Sequence, residues 1–145
     1  MITIKNPTSR DDFKAYYALR YHVLRQPWGQ PKGTEKDDFE PISLHFMAID
    51  DANGEVVGVV KLCEKTPEVG QFSHTAVSEN RRGQGIGKLL LETVEEAARK
   101  NGYKSLGTLT HLTSTGFFEK KGYQIKGLPT RFFGTAQMVW VEKDL

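Results

Sequence analysis

The sequence predicts one α+β domain over residues 1–145, with a mixed sheet and interleaved helices. Three observations carry that reading. Strand-like and helix-like runs follow in the order β, α, an antiparallel hairpin, then β-α-β-α-β. Asn53-Gly54, a strong hairpin signal, lies between two apolar strand-like runs. An amphipathic run over 86–100 separates two further strand-like runs, which calls for a right-handed crossover and a parallel pair. At 145 residues the chain is long enough to bury a core of its own.

The elements are justified in turn. "MITIK" alternates and reads as a first strand. Ser9, with Asp12 three residues on, is a capping signature. Phe13, Tyr16, Tyr17, Leu19, Val23 and Leu24 then recur at roughly helical spacing, until Pro27, Gly29, Pro31 and Gly33 break the helix. "GTEKDDFEP" follows as an acidic connector or short helical turn, of the kind that often carries binding residues. "SLHFMAID" and "EVVGVVKL" are the hairpin strands, joined through Asn53 and Gly54, both of which tolerate positive φ. "QFSHTAV", residues 71–77, is a strand. On the helix over 86–100, Ile86, Leu89, Leu90, Val94 and Ala97 make the apolar face, and Glu95–Arg99 and Glu96–Lys100 pair on the other. Asn101-Gly102 ends it. "KSLGTLT" is a strand, "STGFFEKKGY" a short helix stopped at Gly122, and "TAQMVWVE" the final strand.

Composition excludes several function classes. A net charge of +2 with both signs interspersed argues against a nucleic-acid binder, which would show a basic stripe. The single cysteine, Cys63, allows no internal disulfide and fits a reducing compartment. No apolar run approaches a membrane span, and "MITIKNPTSRDDF" is too polar for a signal peptide, so the expected location is the cytoplasm. His22, His45, His74 and His111 offer no closely spaced ligand pair, so no metal is expected.

The sharpest feature is "NRRGQGIGKLL", residues 80–90, between a strand and a helix. It is no nucleotide P-loop, because Arg82 takes the first glycine position and Leu89 the hydroxyl position. It is a poor dinucleotide fingerprint, because Lys88 replaces the third glycine. A strand-to-helix turn whose amides bind a pyrophosphate remains. The first helical N–H groups are unpaired, the dipole favours anions, the glycines remove Cβ atoms, and Arg81, Arg82 and Lys88 add charge. A tight turn with glycines for packing alone is the competing reading.

Arg82-x-x-Gly85-x-Gly87, preceded by "TAVSEN", resembles the acyl-CoA pyrophosphate loop of the GCN5-related N-acetyltransferases (GNAT). "FFEKKGY", residues 117–123, is similar to a downstream segment of that family. "LRYHVLRQPWGQPKGTEKDDFE" and "SLGTLTHL" look similar to its ElaA-like branch. The resemblance implies a largely antiparallel sheet with helices on both faces and a splayed central strand pair. It implies acetyl-CoA as cosubstrate and an N-acetyltransferase acting on a primary amine of a small-molecule or peptide acceptor. The alternative is a CoA-binding regulatory or sensor module without catalysis. Nucleic-acid and membrane partners are not expected; homodimers are common in the family, though no residue marks an interface.

Residue by residue, the resemblance gives the backbone of Thr75, Ala76 and Val77 to the pantetheine arm, and the amides of Arg82, Gly83, Gln84, Gly85, Ile86, Gly87 and Lys88 to the pyrophosphate. A backbone amide on the same strand polarises the thioester carbonyl, and the amine attacks directly. Cys63 is then no nucleophile but a small buried residue. Phe118 stands where the family often has a thiolate-protonating tyrosine; it can pack on the pantetheine arm but donates no proton. Tyr123 is expected in the core. His74 and His111 are the candidate proton carriers, with Glu64 and Glu68 as rivals acting through water. The first helices and the 26–40 connector should form the acceptor site, with Trp28 as substrate wall or packing anchor. "EKDDFE" either attracts a cationic amine or is solvated, while Arg20 and Arg25 suit an acidic substrate.

Overall fold

The computed structural model describes residues 1–131 and 137–145. The strands are β1 (Ile2–Lys5), β2 (Leu44–Asp50), β3 (Glu55–Thr66), β4 (Val69–Val77), β5 (Ser105–His111), β6 (Gln124–Arg131) and β7 (Gln137–Asp144). The helices are α1 (Arg10–Leu24), α2 (Ile86–Lys100) and α3 (Thr115–Glu119), with short 3-10 turns between elements. The strands form one sheet in the order β1-β2-β3-β4-β5-β7-β6. Every neighbouring pair is antiparallel except β4 and β5, which the α2 crossover joins in parallel.

Local chemistry sets the helix ends. The Ser9 hydroxyl accepts from the Asp12 N–H at 3.0 Å and the Asp12 carboxylate reaches back to Ser9 and Thr8, so the capping box forms as the sequence predicts. Gly102, with φ of 80°, closes α2 while the Tyr103 N–H donates to the Ala98 carbonyl. The buried stripe of α2 is Ile86, Leu90, Leu91, Val94 and Ala98, turned from the expected face so that Leu89 and Ala97 sit at its margin. Glu95 is correspondingly buried rather than paired with Arg99. It accepts from the Tyr123 hydroxyl at 2.9 Å and Lys143 at 3.1 Å. Glu96 meets Arg99, not Lys100.

The two faces of the sheet bury different cores. Against α2 lie Ala48, Val60, Leu62, Phe72, Leu106, Tyr123 and Val141. Against α1 lie Met47, Val59 and Ala76, with Tyr16 from the helix. No helix among the described residues is long and apolar enough to cross a membrane.

The structure adds to the sequence reading at three places. The β2–β3 turn uses positive φ at Gly54 alone; Asn53 instead accepts the Glu55 N–H on its side-chain oxygen at 2.9 Å. A strand forms over 124–131 where none is predicted, because Gly127 and Pro129 hide its pattern and its side chains are all exposed. β7 begins at Gln137; Thr135 and Ala136 of the predicted final strand lie outside the described residues.

Gly107 sits where β5 joins both β4 and β7. A Cβ there would lie 2.6 Å from the Val141 carbonyl oxygen and against the Trp140 ring. Gly107→Ala should therefore cost about 1–3 kcal/mol, as overpacking does. Urea unfolding checks this, and an unchanged midpoint would contradict it.

Candidate active site

The loop after β4 has the geometry of an anion cradle. Gly83 and Gly85 have φ of 78° and 82°, which glycine adopts without penalty. Gly85 caps α2 with no side-chain bond, and the first helical bond runs from the Leu89 N–H to the Gly85 carbonyl. The N–H groups of residues 82–88 therefore have no protein acceptor among the described residues. A Cβ built at Gly83, Gly85 or Gly87 meets nothing within 4 Å. These glycines do not serve packing. Gly87 in particular has a helical backbone, where glycine costs about 1 kcal/mol relative to alanine. Ile86 is buried and packs over Gly58, anchoring the helix start, while Arg82, Gln84 and Lys88 are exposed.

Beside this loop the sheet opens. β4 and β5 pair only at Val69–Ser105, Gly70–Leu106 and Gln71–Gly107. From Phe72 onward β4 keeps β3 on one side, with Ala76 opposite Val59 and Val77 opposite Gly58. Its other edge, which includes Thr75, Ala76 and Val77, faces the gap. The register slips between Lys61–Ser73 and Val59–Ala76, so β4 carries an extra residue there. His74 sits in that bulge with φ of 55°, the one positive φ outside glycine among the described residues. The alternation of a regular strand therefore fails at His74, and Ser73 Oγ and His74 Nδ1 lie 3.0 Å apart. Burial, then the charges of Arg20 and Lys61, bring the His74 pKa down to about 4.

Arg20 and Lys61 are completely buried on the α1 face. Glu40, from the connector, joins them. Its Oε1 accepts from Arg20 at 2.8 Å and from Tyr17 at 3.0 Å; its Oε2 accepts from Lys61 at 2.9 Å and the Asp37 N–H at 3.0 Å. Lys61 also binds the Asp37 carboxylate. Burial pushes the Glu40 carboxyl up, but the Asp37 N–H and the two cations outweigh it and hold it well below the usual range. The Glu40 carbonyl takes the His45 Nε2–H at 2.9 Å, so His45 Nδ1 accepts from the Tyr16 hydroxyl at 2.8 Å. The Glu35 carboxylate accepts from the Gly33 N–H at 2.7 Å. Glu35, Asp37 and Glu40 of the acidic run thus bond within the fold, and Arg20 with Glu40.

This architecture has known counterparts. A model of the acetyltransferase (GNAT) family matches residues 10–123. The chain belongs to that family. It is 30% identical over 109 residues to an uncharacterized N-acetyltransferase of Chlorobaculum tepidum, covering 75% of this chain and 65% of that relative. A GNAT acetyltransferase of Elizabethkingia anophelis, solved with acetyl-CoA bound, is 24% identical with a TM-score of 0.78, covering 99% of this chain and 98% of that one. Escherichia coli ElaA is 18% identical with a TM-score of 0.84, covering 99% and 100%; that likeness is one of fold. The divergent β4–β5 pair is the splay that GNAT membership implied.

The other predicted site residues lie at several points about the sheet. His111 ends β5, exposed, and stacks on Trp28 with ring centroids 6.3 Å apart and planes at 14°. Trp28 thereby links the turn after α1 to the far arm of the gap. A groove of about 250 Å³, lined by His22, Gln26, Glu79 and Arg82 among others, runs between that turn and the loop. A larger groove, about 550 Å³, lies by Phe13 and His45, at the opposite end of β2 from the loop. Phe118 packs with Phe72 at 6.0 Å and Tyr123 at 5.7 Å between ring centroids, and Tyr123 is buried as expected. Glu64 and Glu68 lie at the β3–β4 turn, before the strands diverge, and Glu68 pairs with Lys104. Cys63 is buried, and burial pushes its thiol up. Lys61 has its own sequence signal, since a lysine inside the apolar run "VVKLC" must be a buried, paired cation.

The low pKa of His74 has a thermodynamic consequence. Its folded value, about 4, lies below the ordinary imidazole value of 6.5, so the unfolded chain binds more protons between those pH values. The stability held by neutral His74 is full above about pH 6.5 and is lost as pH falls toward 4. His74→Gln should flatten the slope of the thermal midpoint across that window. Equal slopes in variant and parent would contradict the burial argument.

Proposed function

We propose that residues 1–145 form one cytoplasmic acyltransferase domain that transfers an acetyl group from acetyl-CoA directly to a primary amine of a small-molecule or peptide acceptor. The observation that carries this is the run of unpaired amides over 82–88, lying above glycines with open space at their Cβ positions. When bound, acetyl-CoA supplies the activated thioester. The amides from Arg82 to Lys88 hold its pyrophosphate, helped by the exposed Arg82 and Lys88 side chains and the α2 dipole. The free edge at Thr75, Ala76 and Val77 holds the pantetheine arm, and a β4 amide polarises the carbonyl. His74 and His111 across the gap are the proposed carriers of the amine proton, with His74 the weak base that a pKa of about 4 makes it near neutral pH. Phe118 adds packing to the arm and no proton. A thiol of pKa about 8.5 leaves without a dedicated acid. The rival reading, a CoA-binding module without turnover, rests on that missing acid.

The test is release of CoA and formation of acetylated amine from a panel of amines, followed by mass spectrometry. Turnover supports the transferase, while binding of acetyl-CoA without turnover on any amine favours the rival. Gly87→Glu tests the loop better than Gly85→Glu, because its helical backbone accepts a side chain and the space is open. A carboxylate there should weaken acetyl-CoA binding at least about tenfold, an effect of the size expected for like charges in contact. Unchanged affinity in the folded variant would overturn the pyrophosphate site.

A further inference from the structure

The two arginines before the glycines have separate roles. Arg82 is exposed and lines the groove with His22 and Gln26. Arg81 turns back to the sheet, with Nη2 2.7 Å from Asp50 Oδ2 and 3.7 Å from Glu55 Oε2. Asp50 ends β2 and Glu55 begins β3, and the two are register partners, so both acids stand at the foot of one hairpin. Asp50 is itself held firmly. It is 9% exposed, its Oδ1 accepts from the Ala52 N–H at 2.9 Å, and its carbonyl accepts from the Gly54 N–H at 2.7 Å. On the loop side, the Ser78 N–H donates to the Val57 carbonyl and the Arg81 N–H to the Ser78 carbonyl, both at 2.9 Å. The Arg81 side chain therefore adds a charged tie to β2 at the last residue before the free amides begin.

We propose that Asp50 is a positioning residue for the cofactor loop: through Arg81 it fixes the backbone from which the amides of 82–88 converge before any cofactor arrives. The proposal rests on the reading that these amides take the pyrophosphate. A loop fixed in its binding geometry saves the cost of ordering it at the moment of binding. Asp50 also makes the sign of the effect diagnostic. It is an anion at the same end of the sheet as the proposed phosphate site. Acting through its field alone, it would repel CoA, and its neutralisation would tighten binding. Acting as a clamp, its neutralisation loosens binding.

The experiment is calorimetric titration of the full chain and of Asp50→Asn, Arg81→Met and the double variant with acetyl-CoA, alongside thermal midpoints. Each single change should weaken binding about tenfold, as loss of a charge-assisted bond does, and the double variant should be no weaker than the worse single. Arg81→Lys, which keeps the charge with fewer donors, should fall between parent and Arg81→Met. A pair that serves only stability would lower the midpoint and leave the affinity of the folded protein unchanged. That result, or tighter binding by Asp50→Asn, overturns the clamp. A parent chain that binds no acetyl-CoA overturns the loop reading itself, and the clamp with it.

Discussion

The parallel ladder between β4 and β5 stops after three residue pairs, and the candidate site depends on that interruption. Continued pairing would fill the edge of β4 with hydrogen bonds to β5. Stopping it leaves backbone donors and acceptors that must find water or a ligand, since unmade bonds to buried groups cost about 1–3 kcal/mol each. The divergence has local causes on both arms. On β4 the extra residue at His74 bends the strand. On β5, antiparallel pairing with β7 persists through His111, keeping that arm with its own neighbour. Along the chain the free edge of β4 is followed by the loop and then by the unpaired amides at the start of α2.

The α1 face of that gap is organised by charge rather than by apolar packing. Burying Arg20 and Lys61 is costly unless both are paired and bonded, and Glu40 does this for both at once. The return is positional. Glu40 and Asp37 belong to a connector with little regular structure, and their bonds to α1 and β3 hold that connector in place over the sheet. Burial, and then the same cations, keep the His74 imidazole neutral beside the gap. Fold and candidate chemistry thus share one buried network.

Features set by neighbouring residues were legible in the sequence. The Ser9–Asp12 box, the Gly102 and Gly122 stops, the order of elements along the chain through β5 and the glycine loop all follow from spacing and backbone preference. Features set by distant residues were not. Glu95 lies on the α2 surface by local count, yet Tyr123 and Lys143 draw it inward from elements distant in sequence. β6 exists because β7 pairs with it, not because its own sequence alternates. The His74 bulge depends on register against β3, which alternation cannot show. Arg81 and Arg82 are adjacent and chemically equal, and only the position of Asp50 separates their roles.

The most direct test of the central claim is amide NMR of the isotopically labelled chain titrated with acetyl-CoA. The claim is that the N–H groups of 82–88 are the anion cradle. The amides of Gly83, Gly85, Ile86, Gly87 and Lys88 should shift most at saturation and gain protection from hydrogen exchange, with Thr75, Ala76 and Val77 moving alongside them. Saturable binding that leaves these resonances in place and shifts another surface would contradict the account.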